Sequence, residues 1–305
     1  MEYVLTTKSL CKKYKDFKAL DHLDMHVPKG SIYGFVGKNG AGKTTLIRLI
    51  TGLQYPTEGE YLLYDTDSRD PKINKVRRRM GAVVETPSLY LNLSAVDNLK
   101  QQYGILGLPD YSGLQELLKL VGLEDTGKRK VKDFSLGMRQ RLGIAVALVG
   151  RPDFLVLDEP INGLDPQGII EIRELILKLN REYGITVLIS SHILDELSRL
   201  ATHYGFIDHG RMVKEISEAE LSAACRKKIR VKVSDLAAFS RVLEMLKLRY
   251  EIVSDSEADI YDEIAVTDLV NEANTVNCRI LTVKDQDESL ESFYLNLVGG
   301  GADHD

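Results

Sequence analysis

The segment Gly37–Thr44, which reads GKNGAGKT, has the residue types and spacing of a phosphate-binding loop, G-x-x-x-x-G-K-[ST]. Glycines let the backbone curl so that several N–H groups face one anion, and a helix that begins at Thr44 adds its free N–H groups. Lys43 can reach the β- and γ-phosphates of ATP, and the Thr44 hydroxyl can ligate Mg²⁺. Nucleotide contacts are therefore expected from Gly37, Asn39, Gly40, Ala41, Gly42, Lys43, Thr44 and Thr45.

Two acids, Asp158 and Glu159, directly follow the apolar run Phe154–Leu157. A buried strand delivers its last residue to the carboxyl edge of the sheet, where ligands bind in open α/β folds. We expect Asp158 to hold Mg²⁺ and Glu159 to act as the general base that accepts a proton from an attacking water. An acidic turn at a strand end is the simpler alternative, but a phosphate loop requires Mg²⁺ and charged ligands for it.

Alternating strands and helices must position these groups. A buried strand, Ile32–Val36, is expected before the loop, and a helix, Thr44–Thr51, after it. Further strands are expected at Phe154–Leu157 and Val187–Ser190, with a helix between them from about Gly168 to Tyr183. Strands that alternate with helices indicate an α/β fold with a mostly parallel sheet.

Two additions to this sheet are expected within a first domain, residues 1–222. Residues 1–30 alternate apolar and polar side chains, which is typical of a small antiparallel β subdomain. Residues 87–150 read as mostly helical and form a helical subdomain inserted into the α/β sheet. Its candidate helices are Asn98–Gly104, Gly113–Val121 and Gly137–Val149.

A second domain is expected at residues 226–298, since strand and helix patterns restart after Arg226. It reads as a small α+β unit, followed by a flexible tail at 299–305. The strands are placed at Ile229–Val233, Glu251–Val253, Ile260–Val266 and Arg279–Val283, and the helices at Ala237–Leu248, Thr267–Ala273 and Glu288–Leu297.

Composition excludes several classes of protein. The formal net charge of −5 gives no sign of a nucleic-acid partner. The three cysteines lack the number and spacing of a disulfide framework or a zinc site, which favours reduced thiols in the cytosol. The longest apolar run, Leu142–Gly150, is far shorter than the ~20 residues of a membrane span, and the first residues lack the apolar core of a signal peptide.

Four further motifs, with the phosphate loop and the acidic strand, make residues 1 to about 215 resemble the ATPase subunit of ABC transporters. Residues 134–140, FSLGMRQ, resemble the ABC signature, and Asn162–Asp165 resembles the D-loop. Ser190–His192 resembles the switch-histidine motif, and Tyr14 stands where the family has the aromatic residue that stacks on adenine. Each motif is weak alone, but six in order at suitable spacings are highly specific.

The resemblance implies a head-to-tail dimer of ATPase subunits with ATP sandwiched between them. Ser135 and the Gly137 backbone, at the start of a helix near Met138, would then contact the γ-phosphate of the partner's ATP. His192 would sense the γ-phosphate, and Glu159 would polarise the water. The resemblance further implies a separate transmembrane permease and a location at the cytoplasmic face of the cell membrane. Homodimer and heterodimer remain open.

Some departures from the common pattern point to one branch of the family. The signature has Leu136 and Met138 where the common form has Gly and Gln, and Glu85 replaces the lid glutamine. Both features are similar to the bacitracin- and lantibiotic-export branch of the type-2 exporter class. A carboxylate can still offer oxygens to Mg²⁺ but cannot donate an N–H. Glu85 is therefore expected in the lid and on the metal, with the alternative that it only relays motion.

The second domain is also similar to the appendage of many type-2 exporter ATPases, and residues 287–293 resemble its closing helix. A packing or regulatory role is expected for it. The main functional hypothesis is the energy-coupling ATPase of an exporter, with a peptide antibiotic as cargo. The alternatives are a soluble ABC ATPase that acts on ribosomes or DNA, a catalytically silent ATP-binding module and a P-loop kinase. The second of these predicts loss of the catalytic acid, yet Glu159 is present.

Overall fold

The computed structural model describes residues 2–224, 228–262, 264–286 and 290–299. The chain divides into two compact units, an N-terminal unit, Met1–Glu218, and a C-terminal unit, Ala219–Asp305. Three expectations fall outside the described residues: the state of the Cys225 thiol, the tail expected at 299–305 beyond Gly299, and the first residues, 287–289, of the closing helix. Gly299 itself ends a helix and does not belong to a tail. No helix among the described residues is long and apolar enough to cross a membrane.

A six-stranded sheet forms the centre of the N-terminal unit, in the order β10-β9-β3-β8-β7-β6. The pairs β9–β3, β3–β8, β8–β7 and β7–β6 are parallel, and β10 joins β9 antiparallel. The central strands β3, β7 and β8 are buried along their whole length and are mostly apolar, because helices or strands cover both faces of the sheet. The bounds are β3 Ile32–Val36, β6 Met80–Val83, β7 Phe154–Asp158, β8 Thr186–Ser191, β9 His203–Asp208 and β10 Arg211–Ser217.

A second, antiparallel sheet of the N-terminal unit has the order β2-β1-β4-β5. The second of its two long strands alternates buried and exposed residues over most of its length, as expected for residues 1–30, whereas register shifts interrupt the alternation in the first. The sequence analysis did not predict the other two strands of this sheet. The bounds are β1 Tyr3–Tyr14, β2 Phe17–Pro28, β4 Glu58–Leu63 and β5 Thr66–Asp67.

Seven α-helices of the N-terminal unit accompany these sheets, and three of them, α3 to α5, form the expected helical insertion between β6 and β7. Helix α6 buries Ile172, Leu175, Ile176 and Leu179, which is one face at helical spacing. The bounds are α1 Lys43–Ile50, α2 Ile73–Arg77, α3 Ala95–Ile105, α4 Leu114–Leu120, α5 Leu136–Leu148, α6 Pro166–Tyr183 and α7 Leu194–Ser198.

The C-terminal unit contains an antiparallel sheet of order β12-β13-β11-β14. Its chain order from β11 to β14 is β-α-β-β-α-β, and Val231, Phe239 and Leu269 are part of its core. The elements are α8 Glu218–Ala224, which begins at the last residue of the N-terminal unit, β11 Lys228–Val233, α9 Leu236–Met245, β12 Tyr250–Ser254, β13 Glu257–Ile260, α10 Val266–Thr275, β14 Ile280–Gln286 and α11 Leu290–Gly299.

The strand expected at Ile260–Val266 is wrong, because β13 ends at Ile260 and α10 begins at Val266. The chain leaves the sheet where the Asp262 carboxylate accepts bonds from the Arg249 N–H, at 2.6 Å, and from the Arg249 guanidinium. This side-chain contact takes the place of the next backbone pair. Beyond it the described chain resumes at Ile264 and forms α10 from Val266.

Candidate functional site

The phosphate loop, residues 37–42, connects β3 to α1 and requires glycine at two close approaches. A Cβ atom on Gly37 would lie 2.6 Å from the carbonyl oxygen of Ile207. Gly42 has φ 114°, and a Cβ there would lie 2.5 Å from the carbonyl oxygen of Ala19. The loop is therefore pressed against neighbouring backbone, and its N–H groups precede the first turn of α1.

Lys43 is the most buried cation of the site, with 5% of the residue exposed. Its Nζ donates to the carbonyl oxygens of Gly37, at 2.6 Å, and Lys38, at 3.3 Å. The same ammonium lies 3.2 Å from Glu159 Oε1. The loop thus holds a positive charge at its centre, against the carboxylate that the sequence marks as the general base.

Asp158 ends β7 and is 1% exposed. Its Oδ1 accepts a hydrogen bond from Ser190 Oγ, at 2.6 Å. Its Oδ2 has no hydrogen-bond partner among the described residues. Since a buried carboxylate oxygen without a partner is costly, this atom fits the ligand set of a hard cation such as Mg²⁺.

Glu159 turns the chain sharply, with φ 49°, in the left-handed region that few non-glycine residues adopt. Its N–H donates to Ser190 Oγ, at 2.9 Å, and its Oε2 is hydrogen-bonded to His192 Nδ1, at 2.8 Å. The parallel pairing of β7 and β8 brings these residues together at the carboxyl edge of the sheet. Lys43, Glu159 and His192 therefore form one contiguous polar cluster.

The signature residues lie at the start of α5, which begins at Leu136 rather than near Met138 as expected. The exposed Ser135 is the N-cap residue, and its Oγ accepts from the Met138 N–H at 3.2 Å. A Cβ atom on Gly163 of the D-loop would lie 3.5 Å from Leu136 Cδ2, so the two motifs meet. Gly137 lies in the first turn of α5, and because glycine has no side chain, its backbone N–H is not covered by one.

Tyr14 and Glu85 lie apart from this cluster. Tyr14 is 38% exposed at the end of β1, and its hydroxyl donates to Gln54 Oε1. Glu85, at φ 57°, forms an ion pair with Arg48 in the last turn of α1. No hydrogen bond or ion pair among the described residues joins Glu85 to Thr44 or Asp158.

The sequence analysis assigned no role of their own to three of these partners: Ser190, Arg48 and Gln54. Ser190 contacts both acids, and the signal that could have identified it is a hydroxyl inside an apolar parallel strand, where it is 0% exposed. Arg48 and Gln54 carry no comparable signal, because surface residues of these types are common.

The fold and the polar cluster define a P-loop ATPase. The family described as ABC transporter matches residues 20–162. The chain is 39% identical to the bacitracin transport ATP-binding protein BcrA of Enterococcus faecalis, over 99% of this chain and 98% of that protein. It is 44% identical to the lantibiotic transport ATP-binding protein SrtF of Streptococcus pyogenes, over 70% of this chain and 90% of that one. This chain belongs to the ABC transporter ATP-binding family.

A solved structure supports the same assignment. The dimeric, post-hydrolysis ATP-binding cassette MJ0796 bound to ADP and Pi matches with a TM-score of 0.64 and 27% identity, over 70% of this chain and 98% of that one. The expected fold class, a P-loop NTPase of the ABC type, is confirmed. The expected activity, ATP hydrolysis that powers an ABC transporter, is confirmed as well.

Proposed function

We propose that this chain powers the export of a bacitracin- or lantibiotic-like peptide through a separate permease, at the cytoplasmic face of the cell membrane. Support for this branch comes from the likeness to BcrA, which extends over 99% of the chain and so includes the C-terminal unit. SrtF, by comparison, matches 70% of the chain. The observation that carries the chemical part of the proposal is the cluster of Lys43, Glu159 and His192.

ATP is proposed to bind with its phosphates in the loop and its adenine against Tyr14. Loop N–H groups and the N-terminus of α1 would face the β- and γ-phosphates. Thr44 and Asp158 would hold Mg²⁺, for which Asp158 Oδ2 is free among the described residues, with Glu85 as a further ligand. When bound, Mg²⁺ supplies positive charge that stabilises the charge developing on the phosphates.

The hydrolytic step is proposed to use Glu159 as the base and His192 as its positioning partner. The Glu159 carboxylate lies 3.2 Å from Lys43 and 2.8 Å from His192. When phosphates enter the loop, the ammonium of Lys43 turns to them because they carry more negative charge. Glu159 then keeps His192 as its orienting partner and can accept a proton from water.

A second ATPase subunit is proposed to complete the site. Ser135 and Gly137 lie at the exposed start of α5, where free N–H groups and the helix dipole attract an anion. In the head-to-tail arrangement they would contact the γ-phosphate of the partner's ATP. Because ATP would then contact both subunits, its hydrolysis would release the dimer.

The permease is proposed to dock on the helical subdomain. A groove of about 680 Å³ runs between the segment after β6 and helices α3 and α5, with Glu85, Pro87, Leu106 and Gly143 in its wall. Large apolar side chains are exposed beside it, among them Tyr90, at 55%. Such a groove suits a short amphipathic helix from a partner.

The proposed base is tested by Glu159→Gln. We expect phosphate release to fall at least about a hundredfold while ATP-dependent dimers persist, because a neutral amide keeps the shape but cannot take the proton. Phosphate release and sedimentation velocity with ATP measure the two properties. The exposed Glu182→Gln is the matched control and should hydrolyse ATP normally. Unchanged turnover in Glu159→Gln would show that Glu159 is not the general base.

The proposed cargo is tested in cells that express the chain with its permease. We expect resistance to bacitracin or to a lantibiotic, and its loss in the Glu159→Gln variant. Affinity capture from membranes should recover a polytopic permease. Recovery of ribosomes, or equal sensitivity with and without the transporter, contradicts the export proposal.

A further inference from the structure

The ion pair between Arg48 and Glu85 joins the lid position to the helix that carries the phosphate loop. Arg48 lies in the last turn of α1, and Glu85 lies two residues beyond the end of β6. Their side chains are 37% and 55% exposed. A pair this exposed adds little to folding stability.

Arg48 is distinct among the cations of the groove. Arg77 is already engaged by the Ile50 carbonyl oxygen at 3.2 Å and by two further side-chain oxygens. The side chain of Arg78, also on the groove, has no hydrogen-bond or ion-pair partner in the described part of the chain. Glu85 is the one acid among the described residues that line the groove, and it contacts Arg48 alone.

The position of Arg48 on α1 relates the pair to the nucleotide site. Thr44 and Arg48 are four residues apart and so lie on the same face of the helix, separated by about 6 Å of helix rise. The carboxylate of Glu85 is thus paired with a residue one helical turn after Thr44, whose hydroxyl is proposed to bind Mg²⁺. The left-handed backbone of Glu85, φ 57°, marks the point where the chain bends between the strand and the lid.

We propose that Arg48 is a positioning residue that keeps the Glu85 carboxylate off the magnesium position until magnesium and ATP bind. This rests on the proposed role of Glu85 at the lid. A glutamine at position 85 would be uncharged and could not form an ion pair with Arg48, so this pair requires the carboxylate of Glu85. Binding of ATP with Mg²⁺ must break the pair, and the pair therefore lowers affinity for that complex.

The test is a double-mutant cycle on the affinity for a non-hydrolysable ATP analogue, measured by calorimetry with Mg²⁺ and with EDTA. The cycle compares the wild type, Arg48→Gln, Glu85→Gln and the double variant. In the Glu85 background, Arg48→Gln should tighten binding about two- to fivefold with Mg²⁺ relative to EDTA, the range for an exposed ion pair. In the Glu85→Gln background the same change should have no Mg²⁺-specific effect.

Arg78→Gln is the matched control, since it removes an equal charge from the same groove, and it should leave both affinities unchanged. Arg48→Lys keeps a charge and should bind as the wild type does. An equal effect of Arg48→Gln in both backgrounds, or no effect in either, overturns the proposal. If the wild-type chain fails to bind the analogue with Mg²⁺, the proposed function fails instead.

Discussion

Asp158 in the N-terminal unit and Asp259 in the C-terminal unit are almost equally buried, at 1% and 2% exposure. Their surroundings differ. Asp259 accepts two bonds from the Arg230 guanidinium, at 2.6 and 2.8 Å, and its Oδ2 lies 2.9 Å from Lys228 Nζ. Asp158 has one hydroxyl partner, Ser190, and an oxygen without any partner among the described residues.

We interpret the Asp158 carboxylate as a charge available to a ligand and the Asp259 carboxylate as a charge that supports the fold. A buried carboxylate that is fully paired satisfies its own structure and has no capacity left to bind a cation. One that is left incompletely paired is costly until a ligand arrives. We therefore expect ligand chemistry at the carboxyl edge of the six-stranded sheet and a structural role for the Asp259 cluster.

The largest expected effect is that of Asp158→Asn. ATP hydrolysis should fall about a thousandfold or more, which is ~4 kcal/mol, because the proposed metal loses a charged ligand. The melting temperature should not fall, since Ser190 can still donate to the amide oxygen and a buried charge is removed. Steady-state phosphate release and calorimetric melting measure the two. A variant that melts at a clearly lower temperature yet hydrolyses ATP normally while folded would reverse the comparison.

The second effect is that of Asp259→Ala, which should destabilise the C-terminal unit by about 1–3 kcal/mol. The loss stays in this range because Arg230 and Lys228, at 27% and 21% side-chain exposure, can regain water. Chemical denaturation followed by circular dichroism measures the change. The exposed Asp255→Ala serves as control and should be neutral. A loss of hydrolysis at temperatures where Asp259→Ala is folded would show that the cluster does more than support the fold.

The smallest effect is the response to acid. Hydrogen bonds from the Arg230 side chain, with help from Lys228, hold the pKa of Asp259 below its usual value, against the effect of burial. Since the folded-state pKa is the lower one, Asp259 stabilises the folded state above the unfolded value of about 3.9, and this is lost as the pH falls through the folded-state pKa. Unfolding free energy measured from pH 7 to pH 3 should fall less steeply in Asp259→Asn. Identical slopes would contradict the assignment.

Much of the N-terminal unit could be predicted because its motifs are local. The strand before the loop, the helix after it and the acidic strand are each set by a short run of apolar residues and glycines. The hairpin of β9 and β10 was not predicted, because its outer strand is mostly exposed and lacks a clear pattern. The error at Ile260–Val266 has the same origin, since strand formation depends on a partner and not on the run alone.

The amino-acid sequence by itself determined the phosphate chemistry, because only certain residue types at a fixed local spacing can wrap a phosphate and hold its metal. The tertiary structure alone decided which groups meet across the fold. Parallel pairing of β8 with both β7 and β3 places Lys43, Glu159 and His192 at one edge, and the segment after β6 brings Glu85 to Arg48. Such contacts join residues far apart in the chain, and no local pattern encodes their distance.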